Sequence, residues 1–408
     1  MKIILLHYSA PPIVGGVESV IGHHARLMAD AGHEVCIVAG RGEQTDERIG
    51  FVSLPLVDSR HPVVSSIKAR LDQGIVPDEF SHYVAELTQA LQEVVAGADC
   101  VIAHNVCSLN MNLILTAALR NISGGMQQSR LILWHHDLAW TTPRYRAELH
   151  AGHPWDLLRT AWPGVDQVTI SRFRQDELAA LMGIPPESIW VIPNGVDVPR
   201  FLKWEPLSTD LVERLDLLNA YPILLLPVRI TPRKNIELAI EVLAVMRATR
   251  PRASLIITGP LGPHNPANVK YFEKLKSLRE KRSLDGNVLF LAELAPGYLP
   301  DEVISDFYSL ADALLLPSRE EGFGIPLLEA GLAGMPVFCA DIPPLRDIGL
   351  NYVNYFSPDG SASDIASTIL EHLSSSPLFE FRTHVRSHYT WREIYSKQID
   401  LLVRKGVG

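Results

Sequence analysis

Residues 313–330 read ALLLPSREEGFGIPLLEA, a short apolar run, a glycine-containing loop and a second apolar run. The run before Pro317 is typical of a buried strand. Glycines on both sides of Phe323 let the backbone turn sharply and approach a ligand with no Cβ in the way. Pro326 suits the first turn of a helix, where its missing N–H costs nothing. This order predicts a strand whose loop leads to the amino end of a helix, where free N–H groups bind anions.

Two glutamates bracket this predicted helix start. Glu321 precedes it and Glu329 lies one turn inside it. Carboxylates accept hydrogen bonds from hydroxyl groups, so a phosphate at the helix end could carry a sugar on one side and a ribose on the other. The alternative is a helix whose acidic side chains only complement its dipole.

The same pattern of strand and helix runs along the whole chain. In the first half we predict strands over 2–7, 34–39, 51–56, 100–104, 131–135, 167–170 and 189–192, and helices over 18–31 and 81–95. In the second half we predict strands over 223–229, 254–259, 287–291, 313–317 and 336–339, and helices over 236–247, 268–282, 301–310, 326–333 and 362–373. Apolar strands separated by helices form parallel sheets with helices on both faces. The fold class is therefore α/β, with two Rossmann-like, doubly wound parallel-sheet domains.

The predicted domains are an N-terminal domain over 1–200 and a C-terminal domain over 201–380. A last helical segment over 381–408 either continues the second domain or crosses back to the first. The Asn194-Gly195 pair marks a turn before the first boundary. Ligands of doubly wound sheets lie outside the carboxyl ends of the strands, so two such edges facing each other would form a central cleft for a two-part ligand. Two domains packed with no shared ligand are the alternative.

Cations follow the first strand of the second half, in the stretch Val228-Arg229-Ile230-Thr231-Pro232-Arg233-Lys234-Asn235. Arg229 and Lys234 lie at the carboxyl end of that strand and can reach an anion there. The planar fork of arginine and the point charge of lysine together suit a diphosphate. Arg233 is a third candidate, and a solvated cluster of surface cations is the alternative.

A glycine pair lies in another predicted strand-to-helix loop, Pro11-Pro12-Ile13-Val14-Gly15-Gly16-Val17-Glu18. The loop is not GxGxxG, and no acidic residue follows at the spacing that binds a ribose, which argues against a nicotinamide cofactor. The two glycines still let backbone N–H groups approach an anion.

Histidines end two predicted strands of the first half, in Trp134-His135-His136-Asp137 and in His104-Asn105. Such side chains can hydrogen-bond a sugar. Adjacent residues of a strand point to opposite faces, which argues against one metal ion shared by both histidines of the first cluster. The alternative for each histidine is a satisfied core or rim residue.

Composition excludes several classes of protein. The chain has 408 residues, 47% hydrophobic and 20% charged, which excludes a disordered chain, a collagen-like chain and a small disulfide scaffold. The net charge of −9 argues against nucleic acid as a partner. No apolar run is long enough to span a membrane, and the start is too short and too soon polar for a signal peptide. Four cysteines without a CxxC pair indicate free thiols, and we expect a cytoplasmic protein.

Together these residues resemble the retaining glycosyltransferases of family four, also called glycosyl transferases group one, over nearly the whole chain. The most specific element is the Glu-x7-Glu motif that runs from Glu321 to Glu329. Arg229 and Lys234 stand at the spacing of the family's phosphate-binding pair, and His136-Asp137 resembles the family's His-Asp at a strand end.

The resemblance implies a GT-B fold, with a nucleotide sugar on the C-terminal domain, an acceptor on the N-terminal domain and a C-terminal segment that crosses back. It implies no cofactor and no metal, since Arg229, Lys234 and a helix end take the metal's place at the leaving diphosphate, with the backbone of Gly16 assisting. The catalytic residues implied are Arg229, Lys234, Glu321 and His136.

The donor-binding residues implied are Gly16, Arg229, Lys234, Leu294, Glu321, Gly322, Phe323, Gly324 and Glu329. Of these, Glu329 would bind the ribose. Glu321 and the backbone of Gly322-Phe323-Gly324, here called the glycine loop, would bind the donor sugar. The main chain near Leu294 would contact the base. His136 would contact the donor sugar near its reacting end.

The sequence departs from the family pattern at two places. Val228 stands where the family usually has glycine before the phosphate-binding arginine. The family's Gly-x-Gly-Pro is present only as Thr258-Gly259-Pro260-Leu261-Gly262-Pro263. These changes bear on the identity of the donor rather than on the class of reaction.

The expected reaction moves a hexose from a donor of the UDP-glucose or GDP-mannose type to an acceptor hydroxyl. The expected partners are this donor and an acceptor sugar, lipid-linked sugar or small polar molecule. Peripheral membrane contact stays open, although no strongly basic amphipathic helix is present. A sugar-nucleotide 2-epimerase of the same fold and a catalytically idle binding protein are the alternatives.

Overall fold

A computed structural model describes residues 1–125, 129–261, 266–294 and 297–405. The chain divides into two compact units. The N-terminal unit contains Met1–Gly195 and the chain from Trp391 onward, and the C-terminal unit contains Val196–Thr390.

The N-terminal unit is built on a seven-stranded parallel sheet in the order β3-β2-β1-β4-β5-β6-β7. Its strands are β1 (Lys2–Ser9), β2 (Glu34–Arg41), β3 (Ile49–Ser53), β4 (Cys100–His104), β5 (Arg130–His135), β6 (Asp166–Thr169) and β7 (Ile189–Val191). Its first helices are α1 (Gly16–Asp30), α2 (Pro62–Leu71), α3 (Phe80–Val95), α4 (Leu113–Ser123) and α5 (Arg172–Met182).

Both faces of this sheet are buried, which explains the continuous apolar run of β1. Ile4 and Leu6 belong to the core that includes residues of α3 and α4. Ile3 and Leu5 alternate with them and belong to the core that includes residues of α1. Alternate side chains of a strand lie on opposite faces, so a strand covered on both sides needs apolar residues at every position.

The C-terminal unit is built on a six-stranded parallel sheet in the order β10-β9-β8-β11-β12-β13. Its strands are β8 (Ile223–Leu226), β9 (Ser254–Ile257), β10 (Val288–Phe290), β11 (Ala313–Leu316), β12 (Val337–Ala340) and β13 (Asn354–Phe356). Its helices are α6 (Val198–Leu202), α7 (Pro206–Arg214), α8 (Ile236–Met246), α9 (Pro266–Lys281), α10 (Asp301–Leu310), α11 (Ile325–Leu332), α12 (Pro343–Gly349), α13 (Ala362–Ser374) and α14 (Pro377–His388). Two parallel-sheet α/β units confirm the predicted fold class.

The last part of the chain packs with the N-terminal unit. It forms α15 (Trp391–Ile394), a π-helical turn and α16 (Asp400–Arg404). Ile394 and Leu402 are fully buried in the core that contains the α1 face of β1. The Arg130 guanidinium of β5 donates to the carbonyl of Leu402 at 2.7 Å, which fixes this segment to the sheet.

The chain leaves the N-terminal unit after Gly195, whereas the sequence predicted a boundary after residue 200. Val196 already belongs to the C-terminal unit, where its N–H donates to the carbonyl of Tyr389 at 2.7 Å. The chain returns at Trp391 rather than at residue 381.

Residues 381–388 stay with the C-terminal unit because α14 is anchored there by a buried ion pair. The Arg386 guanidinium lies 2.8 Å from the Asp312 carboxylate, and both side chains are almost completely buried. Arg386 also donates to the carbonyl of Leu310 at 3.0 Å, so α14 is held against the amino end of β11.

No helix within the described ranges is long and apolar enough to cross a membrane.

Candidate functional site

In the C-terminal unit, the loop after β8 carries the predicted cations and is tied to the loop after β11. Asn235 closes the first loop in the left-handed region, with φ of 53°. Its side-chain amide donates to the carbonyls of Pro317 at 3.1 Å and Pro358 at 2.9 Å. Pro317 opens the loop after β11, and β8 and β11 are neighbours in the sheet. The two loops therefore meet at the carboxyl edge of the sheet.

A buried ion pair joins these loops at the predicted donor site. The Lys234 Nζ lies 2.5 Å from Glu321 Oε1, and the two side chains are only 10% and 8% exposed. Two more hydrogen bonds run beside it: the Arg319 N–H donates to the carbonyl of Arg233 at 2.8 Å, and the Arg233 guanidinium donates to the carbonyl of Glu320 at 3.2 Å. A cation and a carboxylate withdrawn from solvent are thus held in one fixed arrangement.

The glycine loop brings the chain into α11 with a left-handed residue. Gly324 has φ of 111°, and a Cβ there would also lie 2.6 Å from the side chain of Leu345. A Cβ at Gly322 would meet nothing within 4 Å, so the backbone there is open to a ligand. Phe323 lies between them and is 57% exposed.

Glu329, the predicted ribose ligand, has a partner that the sequence motifs did not reveal. The hydroxyl of Tyr308 in α10 donates to Glu329 Oε2 at 2.5 Å. Burial, and then the hydrogen bond to this carboxylate, raise the pKa of Tyr308, so the phenol keeps its proton and acts as the donor. Tyr308 therefore orients Glu329, and no motif of the sequence pointed to it.

Arg229 is exposed, and its guanidinium lies 5.8 Å from the centre of the Tyr298 ring. Among the described residues, no carboxylate lies within ion-pair distance of Arg229. The backbone before Arg229 packs tightly against the chain that follows β9. A Cβ on Gly259 would lie 1.9 Å from the carbonyl oxygen of Val228. Only glycine at 259 fits this packing.

Leu294, predicted near the base, follows a short 3-10 turn after β10. Its N–H already donates to the carbonyl of Leu291 at 3.0 Å. The side chain packs partly against the core of the C-terminal unit, and contact of the main chain here with a base stays a prediction.

Gly16 is the first residue of α1, in the N-terminal unit. A Cβ at Gly16 would meet nothing within 4 Å, whereas one at Gly15 would lie 2.0 Å from a carboxylate oxygen of Glu18. The Ser9 hydroxyl donates to the other oxygen of Glu18 at 2.6 Å. The amino end of α1 is thus open at Gly16 and covered by an acidic side chain at Gly15.

His136, also in the N-terminal unit, lies in a buried histidine cluster at the carboxyl edge of the sheet. Its Nε2 is 3.3 Å from His104 Nδ1, and the Nδ1–H of His7 donates to the carbonyl of His104 at 2.7 Å. The backbone N–H groups of His136 and Asp137 both donate to the side-chain oxygen of Asn105, at 3.0 and 3.1 Å. Asn105 therefore fixes the turn that carries His136.

His135 points to the opposite face, as the strand alternation predicted. Its ring hydrogen-bonds Ser108 at 2.6 Å and Gln167 at 2.8 Å, whereas the ring of His136 pairs with His104. Burial lowers the pKa of His135 to about 4 and the pKa of His136 to about 3, so both rings are neutral at physiological pH.

The predicted site residues thus fall into two groups. The first group lies in the loops and helix at the carboxyl edge of the C-terminal sheet and contains Arg229, Lys234, Glu321, the glycine loop and Glu329. The second group lies in the N-terminal unit and contains Gly16 and His136. Within the part of the chain that the structure describes, no group of three or more histidine, cysteine, aspartate or glutamate side chains could hold a metal ion.

Known proteins resemble the chain along most of its length. The mannosylglucosylglycerate synthase of Thermotoga maritima is 28% identical over 385 residues, 87% of this chain and 84% of that protein. A GDP-mannose-dependent alpha-(1-6)-phosphatidylinositol monomannoside mannosyltransferase of Mycobacterium tuberculosis is 25% identical over 354 residues, 83% of this chain and 80% of that protein. A glycosyltransferase structure from Rickettsia africae aligns with 99% of each chain at 16% identity and a TM-score of 0.38, which adds nothing to the fold described above.

Two sequence families divide the chain between them. The Glycosyltransferase Family 4 model matches residues 14–200, and the Glycosyl transferases group 1 model matches residues 210–387. The first match lies in the N-terminal unit and reaches the start of the C-terminal unit, which contains the second match. The chain therefore belongs to the family 4 and group 1 glycosyltransferases that these two models describe, and it is an enzyme that transfers a sugar.

Proposed function

We propose that this enzyme moves a hexose from a nucleotide diphosphate sugar to an acceptor hydroxyl, with retention at the anomeric carbon and without a metal ion. The observation that carries the proposal is the Lys234–Glu321 pair, almost withdrawn from solvent and placed beside the start of α11. A cation, a carboxylate and backbone N–H groups at one sheet edge suit a ligand that bears a phosphate and hydroxyl groups close together.

In this mechanism the leaving diphosphate carries the charge that develops as the sugar–phosphate bond breaks. Lys234 and Arg229 stabilise that charge, and the start of α11 adds its N–H groups. The acceptor oxygen forms its bond to the anomeric carbon on the face that the phosphate leaves, and its proton passes to the departing phosphate oxygen. No side chain is then needed as a general base.

The remaining residues bind and orient. Glu321 and the glycine loop hold hydroxyl groups of the donor sugar, and Glu329 holds the ribose in the orientation that Tyr308 gives it. Gly16 presents its N–H to the diphosphate, and His136 contacts the sugar near its reacting end.

GDP-mannose is the donor we propose first, because the relative from Mycobacterium tuberculosis is named as GDP-mannose-dependent. UDP-glucose is the second. The acceptor is a sugar, a lipid-linked sugar or a small polar molecule with a free hydroxyl. We also propose a cytoplasmic location, which is supported by four cysteines that are all free thiols.

The donor is tested by thermal denaturation with UDP-, GDP- and ADP-sugars, since a ligand at 100 times its Kd stabilises a protein by about 2.7 kcal/mol. Retention is tested by NMR, which compares the anomeric configurations of donor and product. Transfer that persists in EDTA supports metal independence. The mechanism is contradicted if the transferred sugar is inverted. It is also contradicted if EDTA abolishes transfer and Mg²⁺ or Mn²⁺ restores it. Formation of an epimerised sugar nucleotide in the absence of acceptor favours the 2-epimerase.

The leaving-group role is tested most cleanly at Arg229, because its exposed side chain can be removed with little effect on folding. We expect Arg229→Ala to lower turnover by 100-fold or more, since one electrostatic donor at a developing charge contributes roughly 3–4 kcal/mol. Lys234→Ala has the same expected effect on turnover. The matched control is Lys274→Ala, which removes a lysine that is 69% exposed and pairs with Glu237. Near-normal turnover in both site variants refutes the assignment.

A further inference from the structure

His104 lies at the centre of the histidine cluster of the N-terminal unit and is completely buried. Its Nδ1 is 3.3 Å from Nε2 of His136, and its ring packs 5.3 Å from the rings of both His24 and Trp134. Its backbone carbonyl accepts the hydrogen bond of His7. One of its two ring nitrogens therefore faces His136, and the rest of the ring is enclosed by other side chains.

The proton on this ring has one well-satisfied position. Burial keeps the pKa of His104 well below its ordinary value, so the ring is neutral and carries a single N–H. The Nε2 atom of His104 is buried and has no hydrogen-bond partner. A proton on Nε2 would leave a buried N–H unpaired, and interiors tolerate such donors less well than unpaired acceptors.

A proton on His104 Nδ1, in contrast, is donated to His136 Nε2. His136 then accepts at Nε2, and since burial keeps its ring neutral too, its own proton lies on Nδ1. No hydrogen bond joins His136 Nδ1 to another residue of the described chain, yet this atom is not among the buried nitrogens that lack a partner, so it lies on the 6% of the residue that is exposed. The hydrogen-bond donor of His136 is therefore on the side of the ring that a ligand can reach.

We infer that His104 is a positioning residue that holds His136 in its Nδ1–H tautomer, so that His136 presents a fixed N–H donor to an oxygen of the substrate. The inference rests on the proposed function for the role of His136 and on geometry for the tautomer. Asn105 completes the arrangement, since its amide oxygen fixes the two backbone N–H groups of the His136 turn.

The tautomer is measured on the full wild-type chain with 15N-labelled histidine. Two-bond 1H–15N correlation spectra at pH 7.5 distinguish a protonated nitrogen from a bare one, and His136→Gln assigns the signals of that ring. We expect a protonated Nδ1 and a bare Nε2. A protonated Nε2 on His136 overturns the inference, whatever the enzyme transfers.

Two variants then test the positioning role. We expect His104→Leu to remove the tautomer signature and to lower kcat by about 10–100-fold, by analogy with the loss of residues that orient metal-ligating histidines. The KM for the donor should stay within about threefold. His104→Asn keeps an N–H near the position of Nδ1 and should restore most of the lost kcat.

The matched control is His24→Leu. This residue is equally buried in the same cluster, but neither of its ring nitrogens has a partner, so its loss should leave the His136 signature in place. If His104→Leu does not fold, the wild-type spectrum and His104→Asn decide the question.

Different results would refute the inference about His104 and the proposed function. A wild-type enzyme without sugar transfer refutes the proposed function, yet the spectrum still tests the tautomer. An active enzyme whose His104→Leu variant keeps both its kcat and the Nδ1–H signal refutes the inference alone.

Discussion

The substitution Gly259→Ala tests the loop that carries Arg229. A Cβ at position 259 would lie 1.9 Å from the carbonyl oxygen of Val228, 2.3 Å from its carbonyl carbon and 2.6 Å from the backbone nitrogen of Arg229. All three atoms belong to the backbone, so no change of rotamer relieves the overlap. Since real Cβ contacts stay above 3.0 Å, the ends of β8 and β9 must separate by about 1 Å.

This separation has a stability cost and a catalytic cost. Forcing extra atoms into a packed site destabilises by about 1–3 kcal/mol, which lowers Tm by roughly 2–4 °C per kcal/mol in a unit of this size. A displacement of about 1 Å at a group that positions the reacting atoms can lower the rate about 100-fold. We therefore expect a lower Tm together with a large loss of kcat, because Arg229 moves with Val228.

The assay measures Tm by circular dichroism and kcat at a temperature where the variant is fully folded. Gly286→Ala is the matched control, since a Cβ there meets nothing within 4 Å, and it should keep both values. An unchanged Tm for Gly259→Ala would refute the packing argument. A lower Tm with an unchanged kcat would show that the position of Arg229 does not limit the reaction.

Two further predictions concern groups that the sequence did not single out. Removal of the Tyr308 hydroxyl by Tyr308→Phe should raise the donor KM about 2–10-fold with little change in kcat, because Glu329 loses one hydrogen bond. The control is Tyr271→Phe, which breaks a similar tyrosine–glutamate contact with Glu237, and an equal KM effect in both would contradict the role of Tyr308. The buried histidines should also make the N-terminal unit sensitive to acid. Burial lowers the pKa of His24 in the folded state to about 3, whereas in the unfolded chain this histidine binds a proton near pH 6.5. The contribution of these histidines to the free energy of unfolding should be constant above pH 7 and fall as the pH drops from about 6.5 towards 4, by up to about 1.4 kcal/mol per pH unit for each such histidine. Urea midpoints at pH 7.5, 6.0 and 5.0 measure this slope, which His24→Phe should reduce, and a flat profile contradicts the prediction.

The regular elements could be predicted because each depends on a local pattern. The predicted strand over 100–104 matches β4 residue for residue, and the helix over 301–310 matches α10. The predicted strand over 223–229 ends in the structure at Leu226, because Pro227 has no N–H to donate to a ladder. The strand β13 was missed, since its three residues are only partly buried and show no apolar alternation.

The contacts within the site could not be predicted, because they join residues that are distant in the sequence. Lys234 and Glu321 are 87 positions apart, and Tyr308 and Glu329 are 21 apart on different helices. The residue types pointed to phosphate and hydroxyl binding, but burial of the lysine and its pairing with this carboxylate depend on the packing of two loops. The roles assigned to these residues stay predictions until the variants are measured.

The sheet orders explain why the candidate residues collect where they do. In the C-terminal unit the strand order reverses between β8 and β11, and the loops after these two strands carry Lys234 and Glu321. In the N-terminal unit it reverses between β1 and β4, and β1 leads to Gly16 while β4 ends at His104. At such a point the connections leave in opposite directions and open a crevice at the carboxyl ends of the strands, where ligands of doubly wound sheets bind. Each unit therefore has its candidate groups at its own crevice, independently of the other. Arg229 lies beyond the end of its strand and is exposed, so its replacement should change the handling of the donor without unfolding the sheet, whereas the buried His104 needs the additional variant His104→Asn.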